Sequence, residues 1–174
     1  FSAGLNTAYS SKSPDTISMI FQGITLDRKI IVLDERVYNN ADISNPIAPS
    51  DTVRNFIDFL ERNREVWGFA RQVSADQATI TELKKYKRQN PCLYNFNGAW
   101  KKTKIIDRIN MQLGWLHTGD YLVCDTCRVH ISELEAYSWA QDKDNEPEDR
   151  NDHTINASQY GFLPYVKIIG EIKQ

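Results

Sequence analysis

Apolar residues at helical spacing, set between short β-rich runs, organise this chain. Behind Ser50 and Asp51, both good N-cap types, Val53, Phe56, Ile57 and Leu60 recur three and four apart. That spacing predicts an amphipathic helix over roughly 51–64. In KKTKIIDRINMQLGWL the residues Ile105, Ile106, Ile109, Leu113 and Leu116 share one side of a second helix. ATITELKKYKRQ reads as a helix whose basic residues gather at its C-terminal end, where they suit the dipole. RVHISELEAYSW and DHTINASQYGF predict two more, the last stopping before Pro164.

Between these lie the strand candidates. TISMIFQGITLD and IIVLDERVYN flank the polar Asp27-Arg28-Lys29 and read as a hairpin. Residues 1–6 form a short apolar opening, VWGFARQV reads as a buried strand ending near Ser74, and CLYNF and YLVC are brief strands. A meander followed by strand–helix crossovers predicts an α/β mixed sheet with helices on both faces. That order fits a ribonuclease H-like fold, and a fold alone does not give function.

Length and charge narrow the picture. A chain of 174 residues predicts a single domain over 1–174 with a real core. The net charge of −2 leaves any nucleic-acid contact to a local basic patch. No apolar run is long enough to span a bilayer, and no signal peptide stands at the start. The opening FSAGLNTAYS, without a Met, predicts a domain excised from a longer chain. Three cysteines argue against a disulfide framework and suit a reducing cytosol. Neither a phosphate loop for ATP nor a GxSxG elbow is present.

Three groups of residues could carry chemistry. Cys124, Cys127 and His130 could bind metal, but a lone C-x-x-C with no second ligand pair fits buried thiols better. Lys84, Lys85, Lys87 and Arg88, then Lys101, Lys102 and Lys104, form two basic clusters with Tyr86, Tyr94 and Trp100 between them. They could touch phosphates or could be solvated helix ends. Lys101, Lys102 and Lys104 stand at a predicted helix N-terminus, where cations oppose the dipole and an anion would relieve the clash. Among the acids, Asp76 follows a predicted strand, and Asp152 and Asn156 are four apart on the last helix beside His153. Asp76 and Asp152 could equally be helix N-caps.

Four stretches, GLNTAYSSKSPDT, SADQATITELKKY, WKKTKIIDRINMQL and ELEAYSWAQDKDNEPEDRNDHTINASQY, together resemble the nuclease domain of tailed-phage large terminases, in order and over nearly the whole chain. The last is the most specific: Tyr-x-Trp, an acidic Pro-bearing loop, then Asp-His and a closing helix. The resemblance implies a metal-dependent endonuclease that cuts concatemeric viral DNA, with an ATPase on a separate N-terminal domain. It implies double-stranded viral DNA, the small terminase subunit and the portal protein as partners, Mg2+ or Mn2+ as cofactor, and the host cytoplasm as location.

The family's three acids fall on Asn6, Val73 and Asn156 here, while Asp152 and His153 match its Asp-His. An Asn offers a carbonyl oxygen without charge, and Val offers nothing. The metal and catalytic candidates are therefore Asp76, Asp152, Asn6 and Asn156, with His153 assisting and Asp15 or Glu133 as a third acid. Lys84, Lys85, Lys101, Lys102 and Lys104 are the DNA-contact candidates. Two readings stay open: a nuclease weakened by its missing acids, and a packaging module that grips DNA or the portal without cutting.

Overall fold

In a computed structural model of the chain, the structure describes residues 1–7, 16–39, 47–99, 103–140 and 152–166, the side chains of 138–140 excepted. Six strands form one mixed sheet: β1 (Ser2–Thr7), β2 (Thr16–Ile24), β3 (Ile30–Asn39), β4 (Gln72–Ala75), β5 (Phe96–Gly98) and β6 (Tyr121–Val123). Their order is β5-β4-β1-β2-β3-β6. The meander β1-β2-β3 is antiparallel, while β4 runs parallel to β1, β5 to β4 and β6 to β3. At the hairpin, Arg28 takes a left-handed φ of 69° and its N–H reaches the Thr25 carbonyl.

Among the described residues, five α-helices cover the two faces: α1 (Pro49–Val66), α2 (Gln77–Gln89), α3 (Ile105–Thr118), α4 (Arg128–Ala140) and α5 (His153–Phe162). The strand alternation sorts the central residues. Ala3, Leu5, Ile17, Met19 and Phe21 join Val53, Phe56, Phe59 and Leu60 of α1 and Ile80 and Leu83 of α2. Ile20, Ile30 and Val32 join the α3, α4 and α5 residues Ile109, Trp115, Leu134, Ile155 and Phe162. With both faces covered, every residue of β1 is buried.

Three elements depart from the sequence reading. The run VWGFARQV is not one strand. Val66 ends α1 and is exposed, Gly68 turns the chain at φ 120°, and β4 begins only at Gln72. The strand expected at CLYNF lies later, at Phe96–Gly98. On α3 the buried stripe is Arg108, Ile109, Gln112 and Trp115, while Ile105 and Ile106 are exposed. Pairing explains the rotation: Gln112 accepts a hydrogen bond from Gln159 at 3.0 Å, and Trp115 packs edge-on against Phe162 at 5.3 Å.

Helix α5 lies directly on β1. A Cβ on Gly4 would come within 1.8 Å of the Ala157 carbonyl oxygen, so the two backbones touch where only glycine fits. A Cβ on Gly161 would in turn stand 3.4 Å from the carbonyl carbon of Ala3. The helix thus runs back along the strand, with its N-terminal end toward Asn6.

Candidate functional site

The site is built at the end of the sheet where β1 and β4 stop together. Leu5 pairs with Ala75, so Asn6 and Asp76 are the next residues out on neighbouring strands. The Asp76 N–H donates to the Leu5 carbonyl at 3.2 Å. Asp76 also caps α2: its Oδ1 accepts from the Thr79 N–H at 2.9 Å. Its Oδ2 accepts from the Thr7 N–H and, at 2.6 Å, from the Thr7 hydroxyl, which lies 2.8 Å from that of Thr79. Asp76 and Asn6 are each 7% exposed, so they are held rather than free in water.

Val73, where the resemblance put the second acid, is fully buried in the apolar core three residues before Asp76. Asp76 is the carboxylate that stands at the strand's end.

Asp152, Asn156 and Tyr160 lie four apart along α5 and share a face over this end of the sheet. Burial pushes the Tyr160 phenol up, the nearby Arg108 guanidinium opposes that, and the Asp76 and Asp152 carboxylates add to it. Tyr160 therefore sits within electrostatic reach of both acids. Asp152 occupies the N-cap position of α5 but makes no side-chain cap bond.

That cap comes from Glu133, raised above as a third metal acid. Its Oε2 accepts from the Thr154 N–H at 2.8 Å, from the Ile155 N–H at 3.3 Å and from the Thr154 hydroxyl. Burial pushes the carboxyl up to about 7 against those bonds. His130 continues the network, 2.9 Å from the Thr154 hydroxyl and 2.7 Å from that of Tyr121. Tyr121 meets Ser158 at 2.6 Å, and Ser158 donates to Gln22 at 2.8 Å. Burial pushes His130 down to about 4, so its ring is neutral at pH 7.

The remaining described candidates take different places. His153 lines a pocket of about 440 Å³ with Arg128, Ser132 and Glu133. Lys84 and Lys85 are exposed on α2, Lys85 3.7 Å from Glu82. At ~1.5 Å rise per residue they stand roughly 12 Å along the helix from Asp76. Lys104 is exposed at the N-cap position of α3, with no side-chain cap bond. Asp15, Lys101 and Lys102 lie outside the described residues. Cys127 is buried and its thiol is pushed up to about 12, chiefly by desolvation, while His130 turns to Tyr121 and Thr154 instead. The C-x-x-C-x-x-H run is thus a strand-to-helix turn, with the Cys127 N–H on the Cys124 carbonyl.

The sequence reading missed Arg108, Tyr160 and the capping role of Glu133. Arg108 had a signal: a basic residue at i, i+4, i+7 with Gln112 and Trp115 on an otherwise apolar helix. The other two depend on which helices meet.

A nuclease of the implied kind needs carboxylates converging on hard divalent ions. Among the described residues, no group of three or more His, Cys, Asp and Glu could hold a metal ion. Asp76 spends both oxygens on hydrogen bonds, and Asn6 and Asn156 bring no charge. The donor set as it stands does not fit a two-ion centre.

The strand order, with α5 laid across the central strands, makes this a ribonuclease H-like fold. It is the fold of the P22 large terminase nuclease domain, with a TM-score of 0.61 at 11% identity, covering 99% of this chain and 87% of that one. The large terminase of a thermophilic bacteriophage, in complex with ADP, gives 0.65 at 19% identity, covering 95% of this chain and 39% of that one. The chain thus spans about two fifths of the length of that terminase. No family model matches the sequence, and no curated protein does. Among the described residues, no helix is long and apolar enough to cross a membrane.

Proposed function

We propose that this chain serves viral DNA packaging as the nuclease-fold part of a large-terminase-type protein. One observation carries the reading. Asp76 is delivered to the end of β4 beside Asn6, beneath the α5 face of Asp152 and Asn156, in a fold shared with a terminase nuclease domain. Double-stranded viral DNA would lie across this end of the sheet, with Lys104 on its phosphates. Translocation would belong to an N-terminal ATPase elsewhere in the parent protein. The small terminase subunit, the portal and the host cytoplasm follow from the same reading.

Cleavage dependent on Mg2+ or Mn2+ is weak in this reading, because two of the three expected acids are amides and the third is Val73. The test is nicking of supercoiled plasmid by the purified chain in millimolar Mn2+. Slow nicking is expected, abolished by Asp76→Ala and raised by the double variant Asn6→Asp, Asn156→Asp. Rapid nicking by the parent chain would show that the amides are no handicap. A second reading, a module that binds DNA without cutting, is favoured by the donor set. It gains if the double variant binds DNA and still does not nick.

A further inference from the structure

Arg108 is the charged group that the site described so far does not use. It is 6% exposed, and its Nε and Nη1 are buried without a hydrogen-bond partner among the described residues. A buried unpartnered guanidinium is costly, so the arrangement points to an absent acceptor. Its position follows from the seam between α3 and α5. Trp115 meets Phe162 and, one turn earlier, Gln112 meets Gln159, so the helices run in the same direction. One turn earlier again, Arg108 falls beside Ile155 and Asn156. The pull of its charge on the Tyr160 hydroxyl agrees with that placement.

Two further features favour an anion there. The N-terminus of the fourteen-residue α3 has no side-chain cap, and a lysine, Lys104, stands at its cap position. Cations at a helix start oppose the dipole, and an anion relieves both. Without metal, the Asp76 and Asp152 carboxylates would repel a DNA phosphate approaching Asn6 and Asn156. A guanidinium already out of bulk water offsets that repulsion more strongly than a solvated lysine.

We infer that Arg108 seats one DNA phosphate against Asn156 at the N-terminal end of α3. Its Nε–H and Nη1–H lie on different edges of the guanidinium, so a donor stays free for the phosphate whichever edge meets it, which the single ammonium of lysine does not reproduce. The inference rests on the DNA reading above.

The test is duplex binding by the purified chain across a salt series. Arg108→Met is expected to weaken binding about tenfold at low salt and to lower the slope of log affinity against log salt by about one. Arg108→Lys keeps the slope but not the affinity. In the parent chain, the 15N-detected Nε–H signal of Arg108, assigned by its loss in Arg108→Lys, shifts when a short duplex is added. That measurement stands even if Arg108→Met does not fold. If the duplex binds but the Nε–H signal stays in place, or Arg108→Met binds like the parent, Arg108 is only a packing residue. If the parent chain binds no duplex at all, the DNA reading fails and takes this inference with it.

Discussion

Two buried polar clusters, one at the start of α2 and one at the start of α5, solve different problems. On the α2 side, Asp76 ties β1, β4 and the start of α2 together through Thr7 and Thr79. One carboxylate serves three donors within a few residues of its strand's end. On the α5 side, Glu133, Thr154, His130, Tyr121, Ser158 and Gln22 run as a chain from α4 through α5 into the middle of the sheet. The first cluster presents an acid at the candidate site. The second spends its acid inside, holding the start of α5 so that Asp152 is left uncommitted as a cap. An acid near a site is thus not the same as an acid in it, and hydrogen-bond partners separate the two.

The largest expected effect comes from breaking the longer chain. His130→Leu leaves the Tyr121 and Thr154 hydroxyls without their shared partner in a dry interior and should cost about 3 kcal/mol. Denaturant unfolding would measure it, and a loss no greater than that of a surface variant would mean the chain is not cooperative. Asp76→Ala removes a helix cap and strands the Thr7 N–H, for about 2 kcal/mol by the same assay. If it costs more than His130→Leu, the ranking of the two clusters is reversed.

A finer contrast lies within the α5-side cluster. Glu133 is raised from 4.5 to about 7 when folded, so its contribution is full below pH ~4.5 and is lost as pH rises through 7. His130 is lowered from 6.5 to about 4, so its contribution is full above pH ~6.5 and is lost as pH falls toward 4. Between pH ~4.5 and ~6.5 the two slopes oppose each other, and the cluster adds little net pH dependence. Glu133→Gln removes one slope. Its stability should then rise from pH 4.5 to 6.5, by up to about 1.4 kcal/mol per unit. Urea midpoints as flat as those of the parent would refute the balance. The smallest effect is expected from the double variant Lys84→Ala, Lys85→Ala, within about 0.5 kcal/mol of the parent, because both side chains are exposed and away from either cluster.

Much of the fold was legible because its signals are local. The α1 stripe and the hairpin at Asp27-Arg28-Lys29 are written in adjacent residues. Val66 and Trp67 misled because apolar residues at a helix end look like the start of a strand. The α3 stripe misled for a different reason: Gln112 and Arg108 are buried by what α5 brings to them, which spacing cannot report. The positions in the candidate site followed the same rule. That Asp76 stands at a strand end and Asp152 at a helix start was legible. Arg108, Tyr160 and the cap by Glu133 depend on helices meeting across dozens of residues.

The contact between Gly4 and Ala157 gives the site a fixed gauge. Backbone meets backbone there, so the gap between β1 and α5 is not set by side chains that substitution could resize. Asn6 and Asn156 each sit within two residues of that contact, on a frame indifferent to whether they end in an amide or a carboxylate. Exchanging nitrogen for oxygen at two positions would alter the charge of the cleft by two units while leaving its width alone. The frame thus fixes the width of the cleft and leaves its charge to the two side chains.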